Sequence, residues 1–146
     1  MAQFGRPSTD TTNESYTDQA GGAVTIYTTI DEVVADDADF IRSAVTPTSD
    51  VYVTKLTSVT DPGLSTGHVV RYRYSKDAAA GAQIDLTVEL RQDYVNEASQ
   101  GTLIHSQPHT NIGEAWTAGT FTLTGPEADA ITAYASLYLR MVCNQV

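Results

Sequence analysis

Residues 83–92 read QIDLTVELRQ, in which apolar and polar side chains alternate without a break. One face of this segment would carry Ile84, Leu86, Val88 and Leu90, and the other Asp85, Thr87, Glu89 and Arg91. Because successive side chains of a strand point to opposite faces, this period of two is typical of an antiparallel strand with one buried face. We therefore predict a strand here, with its four apolar side chains in the core.

Other segments of the chain share this period of two. They are residues 24–30, 40–46, 50–57, 68–76, 101–106, 116–124 and 134–142. Clusters of turn-forming residues lie between them, at 47–50, 61–63, 79–81 and 111–113. The chain is also rich in threonine and has 8 tyrosines, and both residue types favour strands.

Helical signals are confined to two short segments. Residues 124–131 are predicted to form a short helix, because Pro126 suits its first turn and Glu127 suits its positive N-terminal end. A single turn within residues 31–39 is the second candidate. Short alternating strands with so little helix predict an all-β fold, which we expect to be an eight-stranded antiparallel β-sandwich of the jelly-roll type.

The predicted strands 68–76 and 83–92 are joined by the turn at 79–81 and could form a hairpin. If their apolar side chains share a buried face, an outward arginine of the first strand lies opposite an outward acid of the second. The arginine would be Arg71 or Arg73, and the acid Glu89 or Asp85.

Residues 1–22 differ in composition from the rest of the chain. They are rich in Ser, Thr, Asn, Asp and Gly, so they offer little apolar surface to offset the entropy of ordering. This indicates either a disordered tail or an extended N-terminal arm that becomes ordered against a neighbouring subunit. In the second case the partner-binding residues would be Phe4, Arg6 and Tyr16, and residues 23–146 would form the sandwich domain.

Charge and cysteine content limit the classes of partner and site. A net charge of -10 and a pI near 4.4 disfavour binding to nucleic-acid phosphates and to anionic membranes. The lone Cys143 excludes an intrachain disulfide and multi-cysteine metal sites, and we expect it to be a small buried side chain. The N-terminus lacks the basic and apolar regions of a secretory signal, so we expect no secretion by that route.

No catalytic motif is recognisable, and we expect neither enzymatic activity nor a cofactor nor a metal. Five acids lie between residues 31 and 39, but they lack the pattern of an EF-hand loop, which favours a solvated acidic loop over calcium binding. His105 and His109 are four residues apart. Pro108 prevents the helix on which such pairs bind metal, so we interpret both histidines as polar loop residues.

A carbohydrate-binding module is the alternative function. Sandwich proteins that bind sugars stack the rings on exposed aromatic side chains, and the host-surface glycan would then be the partner. The candidate platform residues are Tyr27, Tyr52, Tyr94 and Trp116. Trp116 has a second interpretation, as an aromatic side chain that seals one end of the core.

Three long stretches together carry a resemblance to a known family. They read TIDEVVADDADFIRS at residues 29–43, STGHVVRYRYSKDAAAGAQIDLTVELRQ at 65–92 and HTNIGEAWTAGTFTLTGPEADAITAYASLYLR at 109–140. These stretches resemble small jelly-roll structural proteins of tailed bacteriophages, prophages and gene-transfer-agent-like particles. The resemblance covers most of residues 23–142, and its motifs build the fold rather than an active site.

The resemblance implies a virion structural protein without catalytic residues. The implied role is an accessory or decoration protein on the head, with the neck or tail as the alternative position. Its partners would be the major capsid protein or other virion proteins, and it would form a homo-oligomer, a trimer or higher. Assembly would take place in the host cytoplasm.

Overall fold

The structure is a computed structural model, and it describes residues 2–77 and 82–146. The turn predicted at 79–81 lies outside the described residues. Nine strands occur in the described part of the chain. They are β1 (Pro7–Asn13), β2 (Thr17–Asp18), β3 (Ile41–Arg42), β4 (Thr48–Leu56), β5 (Val69–Tyr74), β6 (Ile84–Gln92), β7 (Thr102–His109), β8 (Thr117–Thr122) and β9 (Leu137–Gln145).

Every strand pairing is antiparallel, as the alternation predicts. β1, β4, β9, β6 and β7 form one five-stranded sheet in that order, which we call the main sheet. The strands β2 and β3 form one two-stranded ribbon, and β5 and β8 form another. The fold is therefore mostly β, built on one antiparallel sheet with two smaller ones.

The two larger core clusters lie on one face of the main sheet, where β6 and β9 align their apolar side chains, and a smaller buried cluster lies on the opposite face. Leu86 pairs with Cys143, and Val88 pairs with Met141. Phe121 of β8 is buried against this face, so the β5–β8 ribbon packs on it. Near the β2–β3 ribbon, a second cluster includes Tyr16, Ile26, Tyr52, Ile84, Ile112 and Cys143.

Most of the alternating segments form strands where predicted. Residues 50–57, 68–76, 83–92, 101–106, 116–124 and 134–142 correspond to β4 to β9. The predicted helix is α1 (Gly125–Asp129). The Thr124 and Glu127 side chains form a capping box at its start, and Pro126 lies in its first turn.

One strand prediction in the first third of the chain is wrong, and another is correct only in part. Residues 24–30 do not form a strand, because Ile26–Thr29 is a 3-10 helix. The Asp10 carboxylate accepts hydrogen bonds from the backbone N–H groups of Ile26 and Tyr27, both 2.9 Å long, which favours the helical start over a strand. Of residues 40–46, only Ile41–Arg42 are a strand.

The predicted hairpin between β5 and β6 is also wrong. β5 pairs with β8, while β6 pairs with β7 and β9. The predicted cross-strand ion pairs are therefore absent from these strands, and Arg73 pairs instead with Asp37. Of the two candidate acids, Glu89 pairs with Arg91 and Arg140.

The N-terminal segment is part of the main sheet over much of its length. β1 pairs with β4, with register shifts in the pairing, and it forms one edge of the main sheet. Residues 2–6 precede it as a short extension. The functional division into an arm of residues 1–22 and a domain of residues 23–146 stays a prediction.

Candidate functional site

The N-terminal extension, residues 2–6, is held against the chain's own surface. The Gln3 side-chain amide forms two hydrogen bonds with the backbone of Thr60, of 3.0 and 2.7 Å. The backbone of Arg6 forms two more hydrogen bonds with Thr57. Its carbonyl accepts one from the Thr57 backbone N–H, and its N–H donates the other to the Thr57 hydroxyl. The extension therefore has an ordered backbone before any partner binds, which lowers the entropic cost of binding.

Phe4 and Arg6 are presented together by this extension. The Arg6 guanidinium lies 5.5 Å from the centroid of the Phe4 ring and donates a hydrogen bond to the backbone carbonyl of Glu32. Phe4 is 65% exposed, and Val33, next to Glu32, is 81% exposed. We call Phe4, Arg6 and Val33 the N-terminal patch, an apolar surface with one positive charge.

Tyr16, the third predicted partner-binding residue, is buried in the chain's own core. It is only 6% exposed, and its ring centroid lies 5.6 Å from that of Tyr52. Burial raises the pKa of Tyr16 well above its usual value. In this fold its side chain is not available to a partner, because the turn after β1 directs it into the core.

A cavity of about 1740 Å³ lies between the main sheet and the two ribbons. Its floor is the apolar face of the main sheet, where Leu86, Leu139 and Met141 are only partly buried. β5 and residues 40–45 both line it. The N-terminal patch lies at its rim. We call this cavity the interlayer cleft.

Several polar side chains border the cleft. His68 Nε2 and the Tyr134 hydroxyl are 2.7 Å apart, while the buried His68 Nδ1 has no hydrogen-bond partner within residues 2–77 and 82–146. Burial raises the pKa of Glu32, and the nearby Asp39 and Asp31 charges add to the shift. One carboxyl oxygen of Glu32 is also buried, and no described residue forms a hydrogen bond with it. The cleft therefore combines an apolar floor with hydrogen-bonding groups at its sides.

The opposite face of the main sheet carries a group of paired charges, which we call the charge network. Glu89 forms ion pairs with Arg91, at 2.7 Å, and with Arg140, at 3.1 Å. Arg140 also donates two hydrogen bonds to the Glu97 carboxylate, of 2.9 and 2.6 Å, and these lower the pKa of Glu97. The Tyr94 hydroxyl donates to Glu97 at 2.8 Å. The network fixes residues 93–100 over this face.

Sequence reasoning missed the charge network because it placed Glu89 and Arg91 in solvent. Both are 9% exposed, since residues 93–100 fold back over them. The alternation of β6 identifies which side chains share a face, but it does not show that both faces are covered. The only local sign of the charge network in the sequence was that one predicted strand carries both an acid, Glu89, and a base, Arg91.

The two candidate histidines lie on β7 rather than in a loop, and each has its own partner. His105 Nδ1 is 2.8 Å from a Glu127 carboxylate oxygen, which links β7 to α1. His109 Nε2 is 2.6 Å from the Tyr72 hydroxyl. Burial lowers the pKa of His109 and raises that of Tyr72 to about 12, so both groups stay neutral near pH 7.

The acidic segment, residues 31–39, is mainly exposed. A single backbone hydrogen bond closes a turn from Asp36 to Asp39. Within residues 2–77 and 82–146, no group of three or more His, Cys, Asp or Glu side chains has an arrangement that could hold a metal ion. Asp37 accepts a hydrogen bond from Arg73, and Asp39 accepts one from Gln19.

Two of the four candidate residues for a sugar-binding platform are buried. Tyr52 is 0% exposed and Tyr94 is 2% exposed, so neither can stack on a ring. Tyr27 and Trp116 are half-buried, and the Trp116 ring packs 5.7 Å from that of Phe40. Cys143 is buried, which confirms its prediction as a small core side chain.

No protein-family model, curated protein or solved structure matches this chain. Among the described residues, no helix is long and apolar enough to cross a membrane. Function is therefore inferred from the residues, their geometry and the resemblance of the three long sequence stretches.

Proposed function

We propose that this protein is a non-enzymatic structural protein of a bacteriophage virion, attached to the capsid as an accessory protein. The observation that carries the proposal is the N-terminal patch. Phe4 is a large aromatic side chain held 65% exposed on an ordered backbone, and the exposed Val33 follows the residue whose carbonyl Arg6 binds. Exposed apolar groups of this kind mark protein interfaces, and buried aromatic residues contribute most to their binding free energy.

The fold also supports a structural role. We propose that the main sheet and the two ribbons are the layers of a jelly-roll sandwich, since their apolar side chains form shared core clusters. The bound partner is the major capsid protein, with a neck or tail protein as the alternative. We expect a homo-oligomer, a trimer or higher, which light scattering would measure.

The proposal is tested by incorporation into particles made in the strain that carries the gene. Phe4→Ala should reduce the copies per particle about tenfold, because loss of an interface aromatic residue costs about 1.4 kcal/mol or more. Leu64→Ala is the matched control, since Leu64 is also 65% exposed and precedes β5 on a different loop. It should be incorporated like the wild type.

Quantitative mass spectrometry of purified particles gives the copy number. Particles without the wild-type protein would refute the virion assignment itself. Equal incorporation of the Phe4 and Leu64 variants would leave the protein in the virion but remove the N-terminal patch from the attachment. Unfolding curves for both variants establish that any loss reflects binding and not stability.

A further inference from the structure

Among the residues that the structure describes, β5 has a partner strand on only one of its two edges. The backbone N–H of Leu123 donates to the carbonyl of His68, which makes that pair a hydrogen-bonded one in the β5–β8 ladder. Hydrogen-bonded pairs alternate along an antiparallel ladder, so the backbone of Tyr72 also faces β8. The N–H and C=O groups of Arg71 and Arg73 therefore point to the other side, along the interlayer cleft.

β3 is a second strand with an unpaired edge. Within residues 2–77 and 82–146 it pairs only with β2, and residues 40–45 also line the cleft. Among the described residues, no backbone hydrogen bond joins β3 to β5. Unpaired strand edges readily accept another strand, because each such strand satisfies a row of backbone groups.

The floor of the cleft suits the side chains of an inserted strand. Leu86, Leu139 and Met141 lie there and are only partly buried by the rest of the chain. A strand alongside β5 would direct every second side chain onto this floor. The six residues of β5 provide an edge of about 20 Å, enough for a strand of similar length.

Charge indicates what the other side chains of such a strand should be. Arg71 is exposed and has no ion-pair partner among the residues that the structure describes. Arg73, two residues along the same face, pairs with Asp37. Acidic residues opposite Arg71 would therefore be favoured as cross-strand neighbours.

We propose that the interlayer cleft binds an extended segment of another protein, which adds a strand to β5. The segment is apolar at alternate positions, facing Leu86 and Met141, and acidic between them, facing Arg71. The unpaired edge of β5 and the partly buried apolar floor favour a polypeptide segment. This site does not depend on the virion assignment.

The probe is a displayed library of random nine-residue segments selected on the full-length protein. Enriched segments should alternate apolar and acidic residues, and synthetic copies are then titrated by calorimetry. Arg71→Pro removes an N–H that the β5–β8 ladder does not use, and it should weaken binding at least about tenfold. Arg71→Ala keeps that N–H and loses only the charge, so a change of about two- to fivefold is expected.

Three results would overturn the proposal: no enriched segment, enriched segments without alternation, or equal binding by the proline and alanine variants. Should Arg71→Pro fail to fold, the same test uses segments N-methylated at alternate residues. One of the two methylation registers should lose binding at least about tenfold, and equal binding by both would exclude strand addition. A wild-type oligomer that Arg71→Pro converts to monomer would identify a second copy as the occupant and refute a foreign segment.

Discussion

Arg140 joins the charge network on the outer face of the main sheet, and its replacement by methionine tests how the network stabilises the fold. The Arg140 and Glu89 side chains are 11% and 12% exposed, and Glu97 is 28% exposed. Removing one partner from a buried ion pair costs about 3–5 kcal/mol, since the remaining charge stays buried. Glu89 keeps Arg91 as a partner, and the Glu97 carboxylate remains partly exposed to solvent. We therefore expect a loss of about 3 kcal/mol in the free energy of unfolding.

Urea denaturation followed by circular dichroism measures this loss. The control is Arg73→Met, which breaks the pair with Asp37, where the side chains are 34% and 40% exposed. Exposed pairs contribute about 0–1 kcal/mol, so the control should be close to wild type. A loss for Arg140→Met no larger than for Arg73→Met would refute the view that burial makes this network important.

The same network predicts how stability depends on pH. Arg140 lowers the pKa of Glu97 from its usual value of 4.5, so the folded state favours the charged carboxylate. Stability from this pair is therefore fully present above about pH 4.5 and is lost as the pH falls through the lower folded-state pKa. Glu97→Gln should lack this part of the acid dependence. An unchanged slope below pH 4.5 in that variant would contradict the assignment.

Two further substitutions test the core. Tyr52→Phe removes the 2.6 Å hydrogen bond from the hydroxyl to Asp10, and we expect a loss of about 1.5–3 kcal/mol because the acceptor is charged. A loss below about 0.5 kcal/mol in urea denaturation would argue against that estimate. Gly119→Ala would push a Cβ into the Tyr72 ring, and overpacking of this kind costs about 1–3 kcal/mol in the same assay. Gly113→Ala, where a Cβ meets no atom within 4 Å, is the control, and equal losses would show that Tyr72 moves aside freely.

Local pattern was sufficient to predict most of the strands and the helix α1. The alternation of β6 and β9 depends only on which side chains share a face, and such a period survives in any antiparallel arrangement. The capping box at Thr124 and Glu127 acts within one turn, so it too is visible in the sequence. The position of Cys143 in the core follows from the same alternation.

The errors came from contacts between residues far apart in the chain. Residues 24–30 alternate like a strand, yet the Asp10 carboxylate holds the start of a 3-10 helix there. Tyr16 belongs to a polar segment, yet Tyr52 and Ile26 provide it with an apolar environment. Neither outcome leaves a signal within a window of a few residues, because the deciding partner is supplied by another element.

The candidate sites divide in the same way. Phe4 and Arg6 were predicted from sequence as partner-binding residues, and the structure holds Phe4 exposed on an ordered extension, which the sequence did not indicate. The interlayer cleft and the unpaired edge of β5 were not predicted, because the sequence favoured a hairpin between β5 and β6.

The sequence by itself determined that the chain is mostly antiparallel β, which side chains of each central strand share a face, and where the short helix begins. Only the tertiary structure decided which strands pair, that both faces of β6 are covered, and that one edge of β5 borders a cleft. The physical reason is the separation in sequence between the residues that interact. Side-chain alternation and helix capping act between neighbours in sequence, whereas strand pairing and the burial of Glu89 and Arg91 depend on segments that meet only after folding.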